Sequence, residues 1–201
     1  MNQQAKTLAR VSKAEFYAFA SQTYDARYEY EDGYIVQQMP GATKRHHKIV
    51  MNIIRVLDKS LKPDLWVIYP EFGVETSVTI RFPDVVVGPV EEPDDSQATN
   101  TPAWIFEVLS PSSRSRDLLR KPKEYLSLSS LQAYVVASQE APELAVWLRS
   151  ADGTAPDEPT ELVGLDERLV VPSLDVTLPL RDIYTRVTFK TAQPGAENDN
   201  G

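Results

Sequence analysis

Apolar residues recur along this chain in patterns typical of helices in some segments and of buried strands in others. In residues 43–61 they return every three or four positions and Pro63 follows, which predicts an amphipathic helix. A shorter helix is predicted over residues 12–20, because Ser12 and Glu15 have the spacing of a capping box. Short apolar runs bounded by turn residues predict strands over residues 65–69, 73–78, 133–137 and 144–148, with more strand residues between 170 and 178.

Turn signals separate these elements. Asp32 and Gly33 form the strongest two-residue turn signal, so residues 27–38 are predicted to form a hairpin. An acidic loop, a helix and a helical turn are predicted, in that order, over residues 91–102, 113–128 and 179–184. This order of helices and strands predicts an α/β fold with a central mixed β-sheet flanked by helices.

Two of the apolar runs each contain one carboxylate. Asp84 lies in the run Phe82–Gly88 and Glu107 in the run Ala103–Pro111, and both runs have the composition of buried strands. A carboxylate in such a strand is expensive to desolvate unless it is paired or bound to a cation. If the strands are neighbours, the two acids could share a divalent metal, and with Lys121 they would form the residue set of a Mg²⁺-dependent phosphodiesterase.

The spacing of these acids also allows other interpretations. Asp84 could cap a strand while Glu107 pairs with a surface arginine, in which case neither acid has a chemical role. Alternatively, the two carboxylates could do acid/base work on a sugar or another small molecule. The residues alone leave all three interpretations open.

Composition narrows the class of protein. The chain has 201 residues and no cysteine, which excludes disulfides and Cys-ligated zinc and is compatible with a reducing compartment. We expect one domain over residues 1–190 and a disordered tail over residues 191–201, which are polar. The N-terminus has no apolar signal core and the apolar runs are too short to span a membrane, so a cytoplasmic protein without membrane contact is expected.

The net charge of −8 argues against a strongly basic, non-specific nucleic-acid binder. Two local clusters of basic residues could still contact phosphates, although clusters of charged residues are more often solvent-exposed surfaces. They comprise Arg114, Arg116, Arg120, Lys121 and Lys123 in one place, and Lys44, Arg45, His46, His47 and Lys48 in the other.

Further motifs surround the two acids. Pro83-Asp84-Val85-Val86-Val87 precedes Phe106-Glu107-Val108-Leu109-Ser110-Pro111-Ser112-Ser113, and Ser130-Leu131-Gln132-Ala133-Tyr134-Val135-Val136 follows. Weaker matches lie at residues 28–33, at His46, Ile49 and Asn52, and at residues 182–184. In this order the motifs resemble the Uma-two family of restriction endonuclease-like proteins of cyanobacteria and other bacteria. The resemblance covers roughly Phe16 to Phe189, and its most specific part is the pair of acid-bearing runs.

The resemblance implies a fold and a metal site of the PD-(D/E)XK nuclease superfamily. It implies that Asp84 and Glu107 bind Mg²⁺ or Mn²⁺, whereas the superfamily's usual lysine position is Leu109 here. The substitute is Lys121 on the following helix, with Lys123 as the fallback, although Pro122 disfavours helical geometry at Lys121. Accessory site residues implied by the same matches are Glu29, His46, Asp117 and Tyr125.

The spacing of Asp117, Lys121 and Tyr125 places them on one face of a regular helix. Glu29 is either a further ligand or an exposed hairpin carboxylate, and His46 is either an accessory group or a boundary residue of its helix. The function implied is a Mg²⁺-dependent endonuclease that cuts DNA as a homodimer. The alternative is a catalytically inactive protein of the same fold that binds a partner.

Overall fold

The computed structural model describes residues 10–23, 26–38, 41–109 and 116–189, except the side chains of residues 116 and 117. The predicted tail at 191–201 lies outside the described residues. The helices are α1 (Lys13–Ala20), α2 (Lys44–Ser60), α3 (Lys121–Tyr125) and α4 (Leu180–Ile183), with a π-helical turn at Arg116–Arg120 and a 3₁₀ turn at Pro172–Leu174. The strands are β1 (Tyr28–Glu31), β2 (Tyr34–Gln37), β3 (Trp66–Pro70), β4 (Gly73–Glu75), β5 (Thr79–Arg81), β6 (Val85–Pro89), β7 (Ala98–Thr99), β8 (Trp104–Val108), β9 (Ala133–Ala137), β10 (Glu143–Leu148), β11 (Thr160–Val163), β12 (Arg168–Val171) and β13 (Val176–Pro179).

The largest sheet has the strand order β11-β10-β9-β8-β6-β3. It is mixed, because β8 and β9 run parallel while β6 is antiparallel to both β3 and β8. The strands of Asp84 and Glu107 are therefore neighbours in one sheet, as the sequence predicts. The chain crosses from β8 to its parallel neighbour β9 through α3, the connection that parallel strands require.

Alternate residues of the central strands pack on opposite faces of this sheet, because successive strand side chains point to opposite sides. On one face Val85, Val87 and Phe106 pack with the apolar stripe of α2, from Ile49 to Leu57. On the other face the residues that cluster together are Val86, Ile105, Tyr134 and Tyr125, the last of them from α3. The central sheet is thus flanked by helices on both faces, as expected.

A second sheet has the strand order β2-β1-β5-β4-β7, and its strands alternate along the chain with β3 and β6 of the first sheet. Its β1–β2 hairpin turns at Asp32 and Gly33, whose φ angles of 45° and 89° suit the two-residue turn that the sequence predicts. Before it, Ser12 and Glu15 form the predicted capping box of α1. Gly33 has little room for a side chain, because a Cβ there would lie 2.9 Å from the Arg10 side chain.

Some predicted bounds were wrong. The strand expected over residues 73–78 ends at Glu75, because Thr76 Oγ1 accepts from the backbone N–H groups of Val78 and Thr79 and turns the chain. Strand β5, which follows this turn, was not predicted. The loop expected over residues 91–102 contains the short strand β7, which pairs with β4. Strand β11 was not predicted, since its residues alternate too weakly between polar and apolar.

The helix expected over residues 113–128 differs most from its prediction. Residues 111–115 lie outside the described part, and the segment after them is a π-helical turn followed by the short α3. Pro122 accounts for the change, because it has no N–H to donate to the carbonyl of Leu118. Over the described residues, no helix is long and apolar enough to cross a membrane.

Candidate active site

Asp84 and Glu107 occupy opposed positions on neighbouring strands. Val85 lies opposite Phe106 in the antiparallel β6–β8 register, so the next pair outward is Asp84 and Glu107. Asp84 comes directly before β6, and Glu107 lies in β8 opposite Val136 of β9. The two acids therefore meet at one end of the central strands, where an open sheet commonly presents its functional groups.

The Asp84 carboxylate is held by a histidine and by the backbone. Its Oδ1 lies 3.0 Å from His46 Nε2, and its Oδ2 accepts from the Val108 N–H at 2.7 Å. Burial by itself would lower the pKa of His46, but the hydrogen bond and charge of Asp84 outweigh it and raise that pKa above its ordinary value. Thr43 caps α2 by accepting from the His46 N–H, which fixes the first turn of this helix beside Asp84.

The Glu107 carboxylate is paired with the lysine that the sequence proposes as its partner. Lys121 Nζ donates to Glu107 Oε1 at 2.5 Å, and both residues are nearly buried, at 5% and 7% exposure. The Tyr125 hydroxyl lies 3.5 Å from the same oxygen. Glu107 follows Ile105 by two positions and so points to the sheet face that α3 covers. Glu107 thus pairs with Lys121 from α3.

Leu109, at the position of the missing strand lysine, has its N–H bonded to the carbonyl of Ala137. The positively charged side chain beside Glu107 therefore comes from Lys121 of α3, and Pro122 determines where that helix begins. A proline near the start of α3 places Lys121 at the first position of that helix, after the wider π-helical turn. Lys123, the fallback, is exposed.

Glu29 belongs to a neighbouring buried cluster. Its Oε2 accepts from Arg81 Nη1 at 2.8 Å and from Gln38 Nε2 at 2.9 Å, and the residue is 4% exposed. The idea of an exposed hairpin carboxylate is therefore wrong. Arg81, itself fully buried, also binds Glu31 at 2.8 Å and forms a bidentate pair with Glu124 at 2.6 and 3.0 Å.

This cluster links the second sheet to the helix that carries Lys121. Burial opposes the charge of Arg81, but the Glu124 hydrogen bond and the charge of Glu29 raise the pKa of its guanidinium. Glu124 lies on α3 between Lys121 and Tyr125, so its bidentate bond fixes the helix that presents both to Glu107. Arg81 and Glu124 were missed by sequence reasoning. The signal was present, because Arg81 interrupts an apolar run in the same way as Asp84 does.

Other predicted residues have separate positions. Arg120 lies 3.6 Å from Glu31, at the margin of the Arg81 cluster. Asp117 and Arg116 lie outside the described side chains, and Arg114 lies outside the described residues. Of the face predicted for Asp117, Lys121 and Tyr125, the last two side chains are described, and both approach Glu107.

The donor atoms fit a hard divalent cation. In the hydrogen bonds to His46 and Val108, each Asp84 oxygen uses one of its acceptor positions, and a carboxylate offers about four. Within the described ranges, no three His, Cys, Asp or Glu side chains group closely enough to hold a metal by themselves. Asp84 and Glu107 are the residues that would hold Mg²⁺, with waters and a substrate phosphate as the remaining ligands.

Comparisons with known proteins concern the family and the fold of the chain. Residues 14–181 match the sequence model of the Uma2 (Uma-two) family, described as "Putative restriction endonuclease". The fold is similar to a solved structure described as "a putative nuclease belonging to DUF820 from Anabaena variabilis ATCC 29413", with a TM-score of 0.68 and 18% identity. That similarity covers 87% of this chain and 98% of the other. No curated protein matches the chain.

Proposed function

Because the chain belongs to the Uma2 family, we propose that it is a metal-dependent endonuclease that hydrolyses DNA phosphodiester bonds. One observation carries the proposal: Asp84 and Glu107 are opposed in register on neighbouring strands, and Lys121 Nζ lies 2.5 Å from Glu107. Two carboxylates beside one nearly buried lysine are the groups that phosphodiester hydrolysis at a divalent cation requires.

Each residue has a defined task in this proposal. Asp84 and Glu107 would hold the cation, Mg²⁺ or Mn²⁺, which supplies a more acidic water and offsets negative charge on the phosphate. Lys121 orients the Glu107 carboxylate and places a positive charge next to the scissile phosphate, where charge develops in the transition state. Tyr125 lies beside the same carboxylate oxygen and limits its rotation.

His46 keeps Asp84 in place. Its Nε2 approaches one carboxylate oxygen while the Val108 N–H binds the other, so the carboxylate plane is fixed from two sides. Such positioning matters because a displacement of about 1 Å in a catalytic group can lower a rate by roughly 100-fold. We assign His46 a positioning role. Glu29 acts at greater distance, through Arg81 and Glu124.

A second candidate function has its own support. The Lys121–Glu107 ion pair already neutralises one of the two acids, as it would in a nuclease-fold protein that binds a partner without catalysis. The two candidates differ in whether the protein turns over DNA. For the enzyme we also propose a homodimer, since two-fold symmetry matches the two strands of a duplex, and a cytoplasmic location.

The test is cleavage of covalently closed circular DNA by the purified protein. With Mn²⁺ or Mg²⁺ we expect nicked and linear products, and none with EDTA, because hydrolysis needs the cation. The matched control is Asp84→Asn, which keeps an acceptor for the Val108 N–H but removes the ligand charge. Its rate should fall at least about 100-fold. If the wild-type protein cuts no circular or single-stranded DNA with either cation, the non-catalytic function is correct.

A further inference from the structure

Cationic side chains without an acidic partner gather on one face of α2. Lys44, Lys48 and Arg55 lie at helical spacing along it, and Arg186 reaches the same face from the chain after α4. Lys48 Nζ donates to the Arg186 carbonyl at 2.8 Å, and Arg55 Nη1 lies 3.3 Å from Asn52 Oδ1. Among the described residues, none of these four cations forms an ion pair with a carboxylate. We call this set, Lys44, Lys48, Arg55 and Arg186, the α2 stripe.

Many other cations of the described chain are neutralised by acids. The paired ones include Arg10 with Asp32, Lys13 with Glu75, Arg27 with Glu71, Arg81 with three glutamates, Lys121 with Glu107 and Arg181 with Asp166. The protein as a whole carries a charge of −8. A polyanion would therefore be repelled by most of the surface and attracted by the α2 stripe, which gives this face a preferred role in binding.

The stripe also has a concave shape. Two adjoining depressions, of about 420 and 340 Å³, share Lys44 and Lys48 in their walls. Arg45 lines the first, where Glu140 is the acid present, and His47 lines the second, together with Arg55 and Arg186. The depressions follow the helix and are open to solvent along their length, as a binding surface for an extended chain must be.

Asn52 explains why Arg186 belongs to this surface. Its buried Nδ2 donates to the carbonyl groups of Ile183 and Thr185 at 2.9 and 2.8 Å, which fixes the segment after α4 against α2. Arg186 follows immediately, with a φ of 59° that turns the chain. The position of this cation is therefore set by a buried hydrogen-bonded contact.

The dimensions of the stripe match one strand of a nucleic acid. From Lys44 to Arg55 the helix rises about 16 Å, at about 1.5 Å per residue. One strand of B-DNA carries a phosphate about every 3.4 Å of axis, so the stripe runs beside about five phosphates. The stripe begins in the same first turn of α2 as His46, which contacts Asp84 from the sheet-facing side of the helix.

We propose that the α2 stripe binds the phosphate backbone of the DNA strand that leads into the Asp84–Glu107 site. The identity of the nucleic acid rests on the proposed function, whereas the location of the surface rests on charge and geometry. Contacts of this kind position the DNA without reading its sequence. Binding through the stripe is therefore expected to be insensitive to sequence and strongly dependent on salt.

The experiment measures anisotropy of a short fluorescein-labelled duplex in EDTA, so that binding is recorded without cleavage. The variant Lys44→Ala/Lys48→Ala should lower the slope of log affinity against log salt by about 2, and weaken binding roughly 50-fold near 0.1 M salt. Lys62→Ala/Arg168→Ala is the matched control, because both cations are exposed, lie outside α2 and remove the same total charge. This control should keep the wild-type slope.

An equal loss of duplex affinity in the two double variants would contradict binding at the α2 stripe, because the loss would then depend only on total charge. An unchanged affinity in Lys44→Ala/Lys48→Ala, or no duplex binding by the wild-type protein at low salt, would overturn it as well. The cleavage assay is read separately. Metal-dependent cleavage with an unchanged slope removes the stripe and keeps the enzyme, whereas a lowered slope without cleavage keeps the stripe and removes the enzyme.

Discussion

Replacing Lys121 with alanine is expected to slow DNA cleavage by about 10²–10³-fold, the usual effect of removing one positioned electrostatic group from an active site. The lysine lies 2.5 Å from Glu107 Oε1 and is 5% exposed, so its charge is held beside that carboxylate. Metal binding through Asp84 should remain. Lys123→Ala is the matched control, because Lys123 is exposed on the same helix, and it should stay active.

A purely structural role for Lys121 needs a separate test, because removing one partner of a buried pair also destabilises a protein. The double variant Glu107→Gln/Lys121→Met removes both charges and should recover most of the stability that Lys121→Ala loses. If Lys121 is catalytic, Lys121→Ala stays inactive at temperatures where circular dichroism shows it folded, whereas a purely structural role predicts that cleavage returns with the fold. If Lys121→Ala cleaves at the wild-type rate while Lys123→Ala does not, the other lysine serves the site.

Replacing Arg81 with alanine is expected to lower the free energy of unfolding by about 3–5 kcal/mol, as removal of one partner from a buried ion pair usually does. Arg81 has no exposed surface and binds Glu29, Glu31 and Glu124. Without it, these carboxylates would face one another at low exposure. The free energy of unfolding of Arg81→Lys should lie between those of Arg81→Ala and the wild-type protein. Lysine keeps the charge but cannot form the bidentate bond to Glu124.

Urea unfolding followed by circular dichroism measures this change. The matched control is Arg181→Ala, because the partner of Arg181, Asp166, is 97% exposed. This variant should change the free energy of unfolding by less than about 1 kcal/mol. Equal destabilisation by the two alanine variants would mean that the Arg81 cluster does not hold the second sheet to α3.

The parts of the fold that sequence reasoning predicts are those with strong local signals. The apolar stripe of α2, the capping box of α1 and the Asp32–Gly33 turn each depend on neighbouring residues, and each is present. Strand β7 and the division between β4 and β5 depend on pairing with distant segments and on one threonine side chain, so local patterns do not reveal them. The π-helical turn before Pro122 is a similar case, because a proline can bend, shorten or begin a helix.

The residues of the candidate site also differ in whether a local sequence signal indicates them. Asp84, Glu107 and Lys121 can be proposed from an apolar pattern interrupted by charge, together with a family resemblance. Their roles stay predictions until activity is measured. The Arg81 cluster was not proposed, because its partners come from β1, β5 and α3, which are far apart in sequence. Lys44 and Lys48 of the α2 stripe belong to a basic run that the sequence shows, but Arg55, Arg186 and the concave shape are added only by the fold.

The most direct test of the central claim, that Asp84 and Glu107 bind the cation on which catalysis depends, is a calorimetric titration with Mn²⁺. We expect the wild-type protein to show one weak site, since two carboxylates bind such an ion only together with waters. That site should vanish in Asp84→Asn and persist in Asp58→Asn, in which an exposed acid of α2 is neutralised instead. Mn²⁺ binding of equal strength in Asp84→Asn and the wild-type protein would contradict the account.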